Sequence, residues 1–166
     1  MFTCSANKKG WYTVMETINS YYGAAQNDLL YIRTMYSTIE NAPSFNIFVV
    51  MCATTAERFL KAVIEKCFVE DSEAMSLLHT HNLRSLYNKI ITSYSLSTDS
   101  KSCKWLGDFY FDARYPGDNF VVVNKDDAIE AYQILEMIYS DVTRILQDEE
   151  QIRKDALKEL QSFKAF

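Results

Sequence analysis

Few residues in this chain of 166 have the types and spacing to do chemistry, and they gather at helix ends. The two histidines, His79 and His81, fall in one loop ahead of a helix, with no cysteine or carboxylate at ligand spacing around them, so no metal site is expected. The sequence has no serine or cysteine nucleophile elbow and no glycine-rich phosphate loop. What remains is a small polar set. Glu57 and Lys61 stand one helical turn apart on a shared face, where they can pair, and read as a solvated stripe on a core helix. Arg114 follows an aromatic-rich segment and precedes Pro116-Gly117. Its planar fork suits a bidentate phosphate contact, and it suits equally a pairing with Asp112 or Glu57 that pins the loop. His81 reads as a helix-start residue bonding backbone, or as an acid or base. Tyr110 and Tyr115 read as packing residues with hydroxyls at the surface.

The elements that must position these groups are helices. Residues 44–68 carry apolar side chains at Phe45, Phe48, Val49, Cys52, Ala56, Phe59, Leu60, Val63, Ile64 and Cys67, three-and-four spacing that predicts a central helix. Pro43 fits only its first turn, and Asn41 or Ser44 is the expected cap. Upstream, Trp11, Met15, Ile18, Tyr22, Ala25, Leu29, Ile32 and Tyr36 predict one long helix over 11–39, or two broken near Gly23. Asn41-Ala42-Pro43 then turns the chain into an antiparallel hairpin. A short helix is expected over 72–78, and another from Leu83 to Tyr94, with Thr80 as its cap and His81 in its first turn. A loop over 95–102 and a helix over 104–111 follow. Pro116-Gly117 breaks the helical pattern, 120–123 reads as extended, and Asn124 with Asp127 forms a capping arrangement for the last helix. The tail over 148–166 offers the pairs Glu149 with Arg153 and Glu150 with Lys154, and either extends that helix or docks separately.

The totals agree with one all-α domain. Apolar residues make up 48% of the chain, while Gly (4) and Pro (2) are too scarce for many tight turns. A net charge of -5 excludes a protein whose whole surface grips nucleic acid, and leaves room for a local basic site. Cys4, Cys52, Cys67 and Cys103 lie far apart and read as reduced thiols of a cytoplasmic protein. No run is long and apolar enough to span a membrane. The expected organisation is a loose segment over 1–10, a helical domain over 11–147 and a C-terminal helical extension over 148–166.

Three motifs in order, Ala56-Glu57-Arg58-Phe59-Leu60-Lys61-Ala62, Thr80-His81-Asn82-Leu83 and Ala113-Arg114-Tyr115-Pro116-Gly117, resemble those of the HEPN family of small all-α domains. The resemblance spans roughly 28–146 and implies an antiparallel helical bundle of about five to six helices. Such bundles usually dimerise, with polar residues of both subunits meeting in a cleft. Many members of that family are RNA-cleaving toxins or RNA-binding partners, often encoded beside a minimal nucleotidyltransferase antitoxin. Catalytic members carry an Arg followed, four to six residues on, by a His. No arginine here meets that rule, and Arg114 is followed by Asn119 instead, which cannot exchange a proton near neutral pH. The resemblance therefore implies a homodimer that binds nucleotide, RNA or a nucleotidyltransferase partner near Arg114, His81 and Lys61, with Glu57, Asn119 and Tyr115 at hand and without catalysis or a cofactor of its own. The alternatives are a metal-independent endoribonuclease toxin, in which Arg114 steadies the scissile phosphate and His81 or Asn119 assists, and a purely structural interaction module. No residue is assigned a catalytic role.

Overall fold

Helix ends in this chain are set by short polar side chains that reach amides two or three residues ahead. In the computed structural model, which describes residues 19–163, the Ser20 hydroxyl accepts the Gly23 amide at 3.0 Å and opens α1 (Tyr21–Tyr36). The extended backbone of Ser20 rules out one unbroken helix over 11–39 and puts the break just ahead of the expected Gly23, while the expected start at Trp11 lies outside the described residues. A 3-10 turn at Ile39–Asn41 and an extended Ala42 lead into Pro43.

The central helix, α2 (Asn46–Cys67), is buried on nearly every side because α1, α4, α5 and α6 all pack against it. Its cap differs from the expectation. Phe45 occupies the N-cap position with no side-chain cap bond, so neither Asn41 nor Ser44 serves. The first polar side chain of the helix, Asn46, is engaged elsewhere. Its Nδ2 donates to the carbonyls of Ala113 (3.0 Å) and Val121 (2.7 Å), and its Oδ1 accepts the Val123 amide (3.0 Å). One side-chain amide thus ties both ends of the 113–123 loop to the start of α2.

Asp71 caps α3 (Ser72–Ser76) through the Ala74 amide at 2.9 Å, and a 3-10 turn at Leu77–His79 follows. The next cap also departs from the sequence reading. Asn82, not Thr80, opens α4 (Leu83–Ile90), accepting the Ser85 amide at 3.0 Å, while the Thr80 hydroxyl accepts the Asn82 amide at 3.1 Å in a local turn. His81 therefore precedes the helix instead of lying in its first turn. α4 stops at Ile90, short of the expected Tyr94, and Tyr94 turns its hydroxyl to Glu149. α5 (Ser100–Asp112) starts earlier than the expected Lys104 because Asp99 accepts the amides of Lys101 (2.7 Å) and Ser102 (2.8 Å). Residues 120–123 form no strand, as no second segment lies alongside; the Val121 amide returns to the Asp112 carbonyl at 2.8 Å.

The Asn124–Asp127 cap forms reciprocally, at 2.9 and 3.4 Å, and opens α6 (Lys125–Phe163). The tail continues this helix without a break. Of its two expected pairs, Glu150–Lys154 forms at 2.6 Å, and Glu149–Arg153 does not: Tyr94 occupies Glu149 at 2.6 Å, while Arg153 donates to the last-turn carbonyl of Lys66 in α2 at 2.6 Å. α6 runs antiparallel to α1, fastened by the Arg33–Glu136 fork at 2.7 Å and the stacked Tyr36 and Tyr132 rings. Six α-helices and no strand are present among the described residues.

Candidate functional site

Glu57 and Lys61 sit mid-way along α2, each only 5% exposed, so they are not the solvated stripe that their spacing predicts. The difference arises because α1, α4, α5 and α6 cover α2 at the turn that carries Glu57 and Lys61, so this i, i+4 pair has no solvent side to occupy. Lys61 Nζ lies 2.7 Å from Glu57 Oε1 and 5.8 Å from the centroid of the Tyr21 ring. Burying a carboxylate is tolerable only with its lone pairs engaged, and a second partner comes from the loop ahead of α4. His81 Nδ1 stands 3.2 Å from both Glu57 oxygens. Against an acceptor-only carboxylate, Nδ1 is the nitrogen that carries the proton, which leaves Nε2 as the acceptor of the neutral ring.

Half-exposed His81 stacks on Tyr110 of α5, centroids 5.0 Å apart and planes 12° from parallel. Tyr110 also underlies Arg114. The Arg114 guanidinium lies 5.7 Å from the Tyr110 centroid and 5.2 Å from that of Tyr115, two cation–π contacts on an exposed side chain. The pairing of Arg114 with Asp112 or Glu57 does not form. Glu57 is buried and already engaged by Lys61 and His81, and among the described residues Arg114 has no carboxylate partner. Its backbone is set by the end of α5, where the amides of Arg114 and Tyr115 both donate to the Phe111 carbonyl at 3.1 Å. Asn119 is exposed in the same loop and makes no hydrogen bond to any of these groups.

Arg114 and Tyr110 border a cleft of about 400 Å³ whose walls include Thr54, Thr55, Arg58 and Asp28, with Arg58 and Asp28 joined in an ion pair between α2 and α1. A second cavity, of about 630 Å³, opens between α4 and α5 and is bordered by His79, His81, Arg84, Lys104 and Asp108. His81 and Tyr110 thus border one space each and meet as a stacked pair. A thiol nucleophile is absent from the described residues: burial pushes Cys103 up to about 12 and raises Cys52 and Cys67 as well, so all three stay protonated at neutral pH. No three His, Cys, Asp or Glu side chains among the described residues converge to hold a metal.

The HEPN domain model matches residues 21–146, well over half of the chain and every element from α1 to the body of α6. This chain belongs to the HEPN domain family. Comparison with curated proteins and with solved structures yields no match. Membership in the HEPN family points to a nucleotide- or RNA-related role. Among the described residues of this HEPN domain, no helix is long and apolar enough to cross a membrane.

Sequence spacing brings Glu57, Lys61, His81, Tyr115 and Arg114 forward, and the fold links them through Tyr110 and the Glu57 carboxylate. It leaves Asn119 apart. Asp28 and the role of Arg58 escape a reading by spacing, and the only available signal is the position of Arg58 inside the charged group of α2. Removing the ammonium from the buried pair should be costly. Lys61→Met is expected to destabilise the HEPN domain by about 3–5 kcal/mol in urea unfolding, because it strands the Glu57 carboxylate. Adding Glu57→Leu should recover most of that loss, and a single variant as stable as wild type would contradict the burial.

Proposed function

We propose that this HEPN domain binds the phosphate of a nucleotide or of RNA at Arg114, as a homodimer and without an acid or base acting at that arginine. The observation that carries the reading is the state of Arg114: an exposed guanidinium, free of any carboxylate among the described residues and set against the faces of Tyr110 and Tyr115 at the border of a cleft. A planar fork that its own protein does not neutralise is suited to an anion, and two aromatic faces beside it suit a base. Tyr115, more than half exposed, offers the more accessible platform. His81 borders the neighbouring cavity. Glu57 and Lys61, being buried, serve by holding His81 and not by touching ligand. Asn119, five residues after Arg114, supplies hydrogen bonds at most.

Exposed Ile47, Phe111, Tyr115 and Val122 border or follow the Arg114 loop, and Leu30 and Tyr31 lie exposed on α1. Apolar surface of this extent supports association, with a second copy or with a nucleotidyltransferase partner. Light scattering of the purified chain is expected to give about twice 19.2 kDa at micromolar concentration, and a 19.2 kDa particle would remove the homodimer from the reading.

One observation favours a second reading, metal-independent RNA cleavage. Glu57 orients His81 through Nδ1, leaving Nε2 to take the proton of a 2′-hydroxyl as its oxygen attacks phosphorus and the 5′-oxygen leaves with a proton from water. His81 and Arg114 share Tyr110, so a proton acceptor and a phosphate clamp rest on one ring without being neighbours in sequence. Cleavage of RNA in the presence of chelator, lost in His81→Ala, would establish this reading; uncut RNA would leave binding alone.

For binding itself, AMP titrated by calorimetry should bind Arg114→Lys about 1–3 kcal/mol more weakly than wild type, with the melting temperature unchanged, since a point charge cannot replace two parallel hydrogen bonds. A lowered melting temperature with unchanged affinity would make Arg114 a loop-pinning residue. No binding of AMP or RNA at all would leave the interaction module.

A further inference from the structure

Resting on the reading of Arg114 as a phosphate contact, we infer that Arg58 is a second phosphate-binding cation in the same cleft, held in reserve by Asp28, and that the site takes nucleotides with two or more adjacent phosphates in preference to monophosphates. Arg58 projects from α2 and Arg114 from the loop after α5, yet both border the same space of about 400 Å³, within the size range of small-ligand sites. Tyr110 and the hydroxyl-bearing Thr54 and Thr55 are further members of that wall. The Thr54 hydroxyl is engaged with the Val50 carbonyl at 2.8 Å, so the two guanidinium groups are the strongest donors that the cleft can direct at an anion.

The two arginines differ in what neutralises them. Among the described residues Arg114 has only ring faces, while Arg58 is paired with Asp28 across the α1–α2 contact. That pair is part-exposed, 38% for the Arg58 side chain and 26% for Asp28, and solvent-screened ion pairs hold their partners weakly. A carboxylate is also the weaker ligand for guanidinium when a doubly charged terminal phosphate competes for the same fork. A monophosphate settled on Arg114 leaves the Arg58–Asp28 pair intact. A diphosphate brings its second phosphate into the same cleft, where Arg58 exchanges Asp28 for it. Consecutive phosphates of RNA are separated by a ribose, so a cleft of this volume favours the adjacent phosphates of a nucleoside di- or triphosphate over two linkages of a polymer.

The test compares AMP with ADP, both titrated by calorimetry without added metal, on the full chain and on Arg58→Gln and Asp28→Asn. Wild type is expected to bind ADP about tenfold more tightly than AMP. Arg58→Gln should bring that ratio close to one, and Asp28→Asn, which releases Arg58 from its competitor, should widen it severalfold. The two variants move in opposite directions, so a folding defect in either leaves the other to decide, with thermal melting as the control. AMP binding that depends on Arg114 but shows no gain for ADP overturns the role of Arg58 and leaves the phosphate reading standing. A gain for ADP that survives Arg58→Gln also overturns it. Failure of both nucleotides to bind removes the phosphate reading itself, and this inference with it.

Discussion

A carboxylate placed in the middle of the most buried helix constrains everything around it. Glu57 has no solvent to satisfy it, so its oxygens must be met by groups the fold brings in. Lys61 supplies the charge from one turn along the same helix, and His81 supplies a hydrogen bond from a different part of the chain. That second bond fixes the loop ahead of α4 against α2 and sets the plane of the imidazole. The plane in turn matches that of Tyr110, and Tyr110 is one of the two rings on which Arg114 rests. Three contacts thus link the exposed arginine to a carboxylate that is only 5% exposed.

The helices were legible because a 3.6-residue apolar period is a property of the sequence itself, and α2, α4 and α6 all carry it strongly enough to be placed within a few residues. Capping was less legible. Several polar residues stand near each helix start, and which of them caps depends on what the others are doing: Thr80 is taken by the turn before Asn82, and Asn82 caps in its place. Burial of the Glu57–Lys61 pair could not be read at all, since an i, i+4 pair has the same spacing on a solvated face as on a covered one. The β-prone residues 120–123 stay outside any regular element for a related reason. β-prone residues make a strand only beside another strand, and an all-helical fold offers none.

The site residues divide along the same line. Arg114 was identifiable from its neighbours, the aromatic segment before it and Pro116-Gly117 after it, because those are local. Its freedom from any carboxylate among the described residues was not, since Asp112 is two residues away and still does not pair with it. Asp28 lies 30 residues from Arg58, so only the antiparallel packing of α1 on α2 makes the two neighbours. The link from His81 to Arg114 is also tertiary, made through the Tyr110 ring that both contact.

α6 has a mechanical consequence. At 1.5 Å per residue its 39 residues make a rod about 58 Å long, against a radius of gyration of about 15 Å for an ordinary compact chain of this length. Arg153 bonds the Lys66 carbonyl at the end of α2, and past it the described side chains pair within the helix, as Gln151 does with Asp155. The described residues therefore form a short cylinder with a spar, not a ball. Its rotational diffusion is anisotropic: end-over-end tumbling is slowed by the spar while spinning about α6 is not, so amide vectors along that helix relax differently from those lying across it.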